Sequence, residues 1–398
     1  MRDLESHVAR ALALVAPLAP HQRPLALALG LTAARDHRAR DASPPFDNSA
    51  MDGYAVRAAD VHGASAETPV RLPVAGETAA GAPPAAVRAG QAWRIMTGAP
   101  MPDGADAVVP VESTDGGTER VAVAKAVEPG RHVRRAGEDA LPGDVIVSAG
   151  QTLTATRLGA LAAVGVSAVD VVRPARVAVI ATGDELVEPG AALGPGEIHD
   201  SNSVLLAALV REAGAEPLVM ERVRDSPEQL LQRLAAADAD LVITTGGVSV
   251  GAYDVVKAAL SSEGVEFVSV AMQPGKPQGL GTVRGMPIAC LPGNPVSVLV
   301  SFAAIVAPMI ARLHGSETAV AQQRTSATVE QGWATAPGRR QFMPVRFTAP
   351  GSVAPATAGG SGSHLIASLA AAQALADIPA DTERVSAGDT VALVRWIR

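Results

Sequence analysis

A single cysteine, Cys290, stands in 398 residues. One thiol cannot close an intramolecular disulfide, and it cannot build a multi-cysteine metal centre. It lies in an apolar run, Ile288-Ala289-Cys290-Leu291, and reads as a small core residue. Aromatic residues are also scarce, at 3%. Alanine, valine and leucine must fill the core, and aromatic anchors give little help in locating a site or an interface. Positive charge is not in excess: the net charge is −7 and the pI about 5.7. This argues against bulk nucleic-acid binding and for a small-molecule or protein partner. Proline, glycine or charge breaks the most apolar windows before the ~20 residues that a membrane span needs, so no membrane segment is expected. Arg2, Asp3 and Glu5 precede a short Ala/Leu run ending at Pro17. No cleavage pattern follows, so no signal peptide is expected and a cytoplasmic location is the default.

Hydrophobic residues make up 48% and charged residues 18%, the balance of a globular protein with room for roughly two to four domains. Residues 1–41 carry Ala/Leu periodicity around Leu12, Leu14 and Val15, with a second helical segment expected near Leu25–Ala34. Between 42 and 146 short β-like runs sit between Pro/Gly turns. Helical texture returns over 152–169, so residues 1–41 and 147–174 read as two halves of one helical segment around an inserted β-rich domain. Residues 175–318 alternate strand and helix, which implies a parallel sheet covered on both faces. Within it, Asp200 or Ser201 caps one helix, and Ser226-Pro227-Glu228-Gln229 is a capping box that starts another. Residues 319–398 return to β texture and suggest a small barrel or sandwich.

The most informative run is TTGGVSVGAYD at 244–254. It follows the apolar stretch Leu241-Val242-Ile243 and precedes the helical pattern from Val255. A strand that ends in glycines and a hydroxyl residue and then turns into a helix presents bare N–H groups to an anion. Open parallel sheets bind ligands at the carboxyl ends of their strands, so polar and glycine-rich motifs should follow the strands. They do: Thr182-Gly183-Asp184-Glu185, then Asp225, then the 245–251 turn, then Gln273-Pro274-Gly275-Lys276-Pro277, then Pro292-Gly293-Asn294. Turn residues at strand ends are common, but they do not account for Asp184, Glu185, Asp225 and Asp254 gathering on one rim. Converging carboxylates repel unless a cation or proton separates them. Beside a phosphate that cation is usually Mg2+, held by one or two carboxylates and waters. Lys276 offers a point charge to an oxyanion, so the set suits Mg2+-assisted phosphoanhydride chemistry.

A second cluster lies in the β-rich region: Asp47 to Ala55 around Asp52, Arg94 to Pro100 with Thr97, and Arg134-Arg135-Ala136-Gly137-Glu138-Asp139. Each by itself is more often a turn or a surface ion pair than a site.

The segments NSAMDGYA, RIMTGAP, RRAGED, ATGDEL, IHDSNS, Arg224-Asp225 before a capped helix, TTGGVSVGAYD, PGKP and LPGNPVS follow one another in this order. Together they resemble the MoeA family, the molybdopterin molybdenumtransferases, related to the gephyrin E domain. The resemblance covers nearly the whole chain. It implies a multidomain α/β and β protein: a split helical domain (1–41 and 147–174), an inserted β-rich domain (42–146), a MogA-like doubly wound α/β molybdopterin-binding domain (175–318) and a C-terminal β-barrel (319–398). It also implies an elongated homodimer and the Mg2+-dependent insertion of molybdate into adenylylated molybdopterin with release of AMP. A molybdopterin adenylyltransferase would be the upstream donor, and molybdoenzyme apoproteins or carriers would lie downstream. By motif match, Asp52, Thr97 and Asp139 are the contribution of the β-rich domain, with Arg134 as a steering charge. Glu185, Asp225, Asp254 and Lys276 are that of the α/β domain. Glu185, Asp225 and Asp254 are the expected metal ligands. Thr182, Gly183, Thr245, Gly246, Gly247, Ser249, Gly251, Pro274, Gly275, Pro292, Gly293 and Asn294 are expected to line the pterin phosphate and its surroundings.

One departure stands out. Many relatives carry a basic residue where this chain has Gln273, so one cation is missing from the expected oxyanion pocket, and a lysine there is expected to tighten molybdate binding. Two other functions compete. Adenylyl transfer on the same rim would consume ATP, and the additional β domains argue against it. A scaffold role would leave the carboxylates dispensable, yet all are present. Tungstate, of nearly the same size and charge, is an alternative substrate to molybdate.

Overall fold

The computed structural model describes residues 1–79, 81, 83, 85–224, 226–248, 255–316, 324–357 and 366–395. The chain divides into two compact units, one formed by Met1–Arg35, Ser148–Thr154 and Asp170–Arg398, the other by Asp36–Val147 and Ala155–Val169.

In the first unit, six strands form one sheet: β1 (Arg176–Ala181), β2 (Glu216–Val219), β3 (Leu241–Thr245), β4 (Val265–Ser269), β5 (Pro277–Val283) and β6 (Met286–Leu291), in the order β2-β1-β3-β6-β5-β4. Neighbours among β2, β1, β3 and β6 are parallel, whereas β5 runs antiparallel to both β6 and β4. The sheet is therefore mixed, not purely parallel as the alternation of strand and helix implied. Glycines hide β5 in the sequence, and packing requires them. A Cβ at Gly279 would fall 2.7 Å from the Phe267 ring, and one at Gly281 would fall 2.3 Å from the Gly264 carbonyl oxygen. Because β5 reverses the chain, β4 stays parallel to the rest. Its carboxyl end thus lies on the same rim as those of β1, β3 and β6.

Side chains alternate across the sheet with the period of two that strands impose. Val177, Val179, Leu241, Ile243, Ala289 and Leu291 face one buried cluster, and Ala178, Ile180, Val242, Ile288 and Cys290 face another. The first cluster takes in Leu206, Leu209 and Val210 from helix α1 (Ser201–Glu212). The second takes in Leu230 and Leu234 from α2 (Pro227–Ala236) and Val256 and Leu260 from α3 (Val255–Leu260). Both helix starts are capped: Asp200 accepts from the Ser203 N–H at 3.0 Å, and Ser226 from that of Gln229 at 3.3 Å.

The helix Pro295–Leu313 corrects the expectation that every apolar window breaks early. By length and composition alone it is long enough to cross a membrane, with a mean hydropathy of 2.1, but 89% of that window is buried inside the protein. Val298, Phe302, Ile305, Met309 and Ile310 pack on the first face of the sheet, so its hydropathy marks a core helix.

At the N-terminus the helix Leu4–Ala13 starts at Asp3, whose carboxylate accepts from the Ser6 N–H. The second helix expected near Leu25–Ala34 does not form. Pro20–Pro24 is an extended strand, Leu25–Leu27 makes a single tight turn, and Thr32–Ala33 pairs with Val171–Val172. Prolines at both ends of the first strand and a left-handed Gly30 (φ 79°) leave no uninterrupted helical stretch. The helix expected over 152–169 is shorter, Ala155–Ala163, and stops before a left-handed Gly165; Ala168–Val172 is a strand.

The C-terminal strands Arg324–Val329, Arg340–Ala349, Ser352–Pro355, Ala374–Ile378 and Thr390–Val394 close into a ring. A closed ring leaves no free sheet edge. It is filled by Val329, Trp333, Val345, Val353 and Leu393.

In the second unit, a five-stranded sheet has the order Ala107–Pro110, Gly53–Val56, Ala92–Ile95, Val70–Thr78, Arg120–Val123. Tyr54, Val56, Leu72, Val109 and Val121 form its core.

Candidate active site

On the carboxyl rim of the first unit's sheet, the ends of β1, β3 and β6 are tied together. The Thr182 N–H donates to the Thr245 carbonyl at 3.0 Å, and the Gly246 N–H to that of Leu291 at 3.2 Å. The Thr245 hydroxyl donates to the Pro292 carbonyl at 3.1 Å. Gly246 has φ 94°, and a Cβ there would fall 2.6 Å from the Thr182 carbonyl oxygen. Only glycine fits such an approach. Gly247 has φ 65° and faces Val256, 2.8 Å from where its Cβ would be. Thr182, Gly183, Thr245, Gly246, Gly247, Pro292, Gly293 and Asn294 are thus brought onto one rim by the ends of three parallel strands.

Asn202, in the first turn of α1, fastens this rim. Its amide nitrogen donates to Thr245 Oγ1 at 3.1 Å and to the Gly293 carbonyl at 2.6 Å. The Gly293 carbonyl can only accept, which fixes the orientation of the amide. Asn202 Oδ1 is buried and has no partner among the described residues. In the sequence Asn202 reads as part of a motif and of a helix, not as a site residue. The available signal was an amide side chain in the first turn of a helix that starts on the ligand rim.

Glu185 and Asp184 are exposed. The Glu185 carboxylate folds back on Gly183, where a Cβ would lie 2.4 Å from its Oε2. Asp225, Ser249, Gly251 and Asp254 lie outside the described residues. Among the described residues no three His, Cys, Asp or Glu side chains converge on a metal position.

The segment after β4 is held firmly. The Val270 N–H donates to the Lys276 carbonyl at 2.7 Å. The buried Gln278 amide donates to the Gly275 carbonyl and to the Ser301 hydroxyl, both at 2.7 Å. Pro274 follows a cis peptide bond, Pro274 and Gly275 are buried, and Lys276 is exposed. The two-residue strand Met272–Gln273 pairs with the start of Arg340–Ala349. Here Arg339 donates from Nη1 to Gln273 Oε1 at 2.7 Å.

The second unit builds the other cluster around the loop at 48–52. Asp52 accepts from both the backbone N–H (2.6 Å) and the hydroxyl (2.8 Å) of Thr97. These two bonds, the backbone one foremost, hold the Asp52 carboxyl below the usual aspartate range. The Gly98 N–H donates to the Ser49 carbonyl at 2.8 Å, and the Ala50 N–H to that of His132 at 2.9 Å. Arg134 pairs with Asn48 across a two-stranded ribbon. The three sequence clusters of this region therefore form one surface. Gly53 has no alternative here, because a Cβ would lie 2.0 Å from the Val109 carbonyl oxygen. The Arg135 guanidinium pairs with Asp47 at 2.5 Å, while the Arg135 backbone N–H donates to the Glu138 carboxylate at 2.9 Å. Asp139 instead accepts from the Ser43 hydroxyl at 3.2 Å.

Three family profiles tile the chain: the MoeA N-terminal region (domain I and II) over residues 2–165, a probable molybdopterin binding domain over 178–312, and the MoeA C-terminal region (domain IV) over 326–396. Molybdopterin molybdenumtransferase 2 of Mycobacterium tuberculosis (strain ATCC 25618 / H37Rv) is 45% identical over 400 aligned residues, spanning 98% of this chain and 98% of the relative. The chain belongs to the MoeA family. A Haemophilus influenzae molybdopterin molybdenumtransferase is 37% identical over 88% of this chain and 87% of its own length. The molybdopterin biosynthesis MoeA protein from Pyrococcus horikoshii OT3 superposes with a TM-score of 0.87 at 27% identity, covering 99% of this chain and 100% of the other. The profile of the probable molybdopterin binding domain, over 178–312, spans the rim built by Thr182, Thr245 and Pro292.

Proposed function

We propose that this chain inserts molybdate into adenylylated molybdopterin, with Mg2+ and with release of AMP. The observation that carries this reading is the convergence of the Thr182–Gly183, Thr245–Gly247 and Pro292–Asn294 turns, fastened by Asn202, in a MoeA-family chain. Positive-φ glycines at the strand ends let a phosphate approach the backbone closely.

Mg2+ needs one or two carboxylates and otherwise keeps its waters. The exposed Glu185 carboxylate supplies one hard oxygen on this rim, and the donor chemistry fits. Asp225 and Asp254 would complete the set. The bound ion would offset charge on the phosphoanhydride. The chain's own residues position the phosphate on the 245–247 turn, while Lys276 attracts the oxyanion. Asp52, braced by Thr97, and the Arg134 and Asp139 surface serve the same reaction. We further propose a homodimer in the cytoplasm, supplied by a molybdopterin adenylyltransferase and serving molybdoenzyme apoproteins or carriers.

The test is turnover of adenylylated molybdopterin by the purified chain with Mg2+, with and without molybdate. AMP release that requires molybdate and disappears in Asp225→Ala or Asp254→Ala is the expected result. Tight binding without turnover would make the chain a carrier instead.

A further inference from the structure

The dipeptide Arg222-Val223, between β2 and α2, fastens both ends of the turn that presents Glu185. Val223 holds the first end through its backbone. Its N–H donates to the Ala181 carbonyl at 2.9 Å, and its carbonyl accepts from the Gly183 N–H at 3.2 Å. Thr182 and Val223 thus form a parallel bridge just past the end of β1. Arg222 holds the second end through its side chain, which donates from Nη1 to the Leu186 carbonyl. The residue is half-buried, so this bond is partly shielded from water.

Between the two anchors lie Gly183, Asp184 and Glu185. The Leu186 N–H donates to the Gly183 carbonyl at 3.4 Å, closing the turn, and the Ile198 N–H donates to the Glu185 carbonyl at 2.8 Å. The pairing of Leu186–Val187 with Ile198–His199 continues from there. In so short a turn the main chain decides where the Glu185 carboxylate sits. The acceptor that Arg222 uses is informative. An ion pair with Glu185 would fix its carboxylate and also occupy it. Arg222 bonds the next carbonyl instead, which fixes the main chain and leaves the carboxylate its charge and its lone pairs for a hard cation.

We infer that Arg222 is a positioning residue: by holding the Leu186 carbonyl it aims the Glu185 carboxylate at the divalent cation. This rests on the proposed Mg2+-dependent reaction and names what places one ligand of its cation. Arg222 acts through the turn and touches neither the cation nor the pterin.

The experiment measures the affinity for Mn2+, an observable stand-in for Mg2+, from the loss of its free-ion paramagnetic resonance signal. The full chain, with adenylylated molybdopterin bound, is compared with Arg222→Met, Arg222→Lys, Glu185→Gln and the double variant Arg222→Met with Glu185→Gln. Pterin affinity without metal and the melting temperature are read in parallel. Arg222→Met should lose about tenfold in Mn2+ affinity, the scale for a residue that orients a metal ligand, with both parallel readouts unchanged. Arg222→Lys keeps a charged N–H donor and should recover most of that loss. On top of Glu185→Gln, Arg222→Met should cost nothing further, because the carboxylate it aims is already gone. Unchanged Mn2+ affinity in Arg222→Met overturns the inference and leaves the proposed reaction intact. A loss that repeats in full on top of Glu185→Gln, or an equal loss of pterin affinity, overturns it as well. If the unchanged chain binds the pterin but no Mn2+, the Mg2+-dependent reaction fails, and this inference with it.

Discussion

Asp52 accepts two hydrogen bonds from one residue, Thr97, and is exposed to solvent. The bonds favour its ionised form and hold its pKa down. Their contribution is complete above the unfolded aspartate value of about 3.9 and is lost as pH falls through the lowered folded value. At neutral pH Asp52 is a fixed negative charge aimed by its neighbour. Asp52→Asn keeps the shape and removes the charge. Turnover of adenylylated molybdopterin should fall roughly a hundredfold, while the melting temperature moves by no more than about 2 °C. A comparable fall in stability would assign Asp52 to folding. Cys290 shows the opposite case. Burial pushes its thiol up to about 12, so it stays protonated and inert in the core, as its apolar surroundings in the sequence implied.

Among the elements, α1 illustrates a helix that does two tasks. Its apolar residues Leu206, Leu209 and Val210 pack on the sheet, and Asn202 in its first turn joins the ends of β3 and β6. Asn202→Ala should weaken binding of adenylylated molybdopterin about tenfold in a direct titration. Asn202→Asp should be worse, since it sets an acceptor against the Gly293 carbonyl. The N-terminal helix Leu4–Ala13 carries a different device. His7 is fully buried, and neither ring nitrogen has a partner among the described residues. Burial first, and then the charge of Arg2, lower its pKa to about 4. The unfolded chain takes up this proton near pH 6.5, so the folded state loses stability as pH falls from about 6.5 to about 4, by an amount on the order of 3 kcal/mol. Replacement by leucine should flatten that part of the stability curve in acid denaturation. A slope that persists in His7→Leu would place the titration elsewhere.

Across the whole molecule, what was legible in the sequence follows from local rules. Capping residues marked both α1 and α2, and strand-end glycines marked the rim. What was not legible depends on contacts between distant segments. β5 is glycine-rich because Phe267 and Gly264 crowd it. Leu25–Ala34 has helical composition, yet it pairs through Thr32–Ala33 with residues 171–172. The apolar helix Pro295–Leu313 reveals its role only in its burial. The same holds in the site: the side-chain oxygen of Gln273 is taken by Arg339, 66 residues away. Motifs therefore locate the rim, whereas the arrangement of charge on it is a property of the fold.

The proposed reaction is a coupled exchange of AMP for molybdenum on one pterin. Its decisive test is the ratio of molybdenum incorporated into pterin to AMP released, in the purified chain with adenylylated molybdopterin, molybdate and Mg2+. One metal per AMP is expected, with no AMP release when molybdate is withheld. AMP release without metal insertion would make the chain a hydrolase and not a metal-inserting transferase.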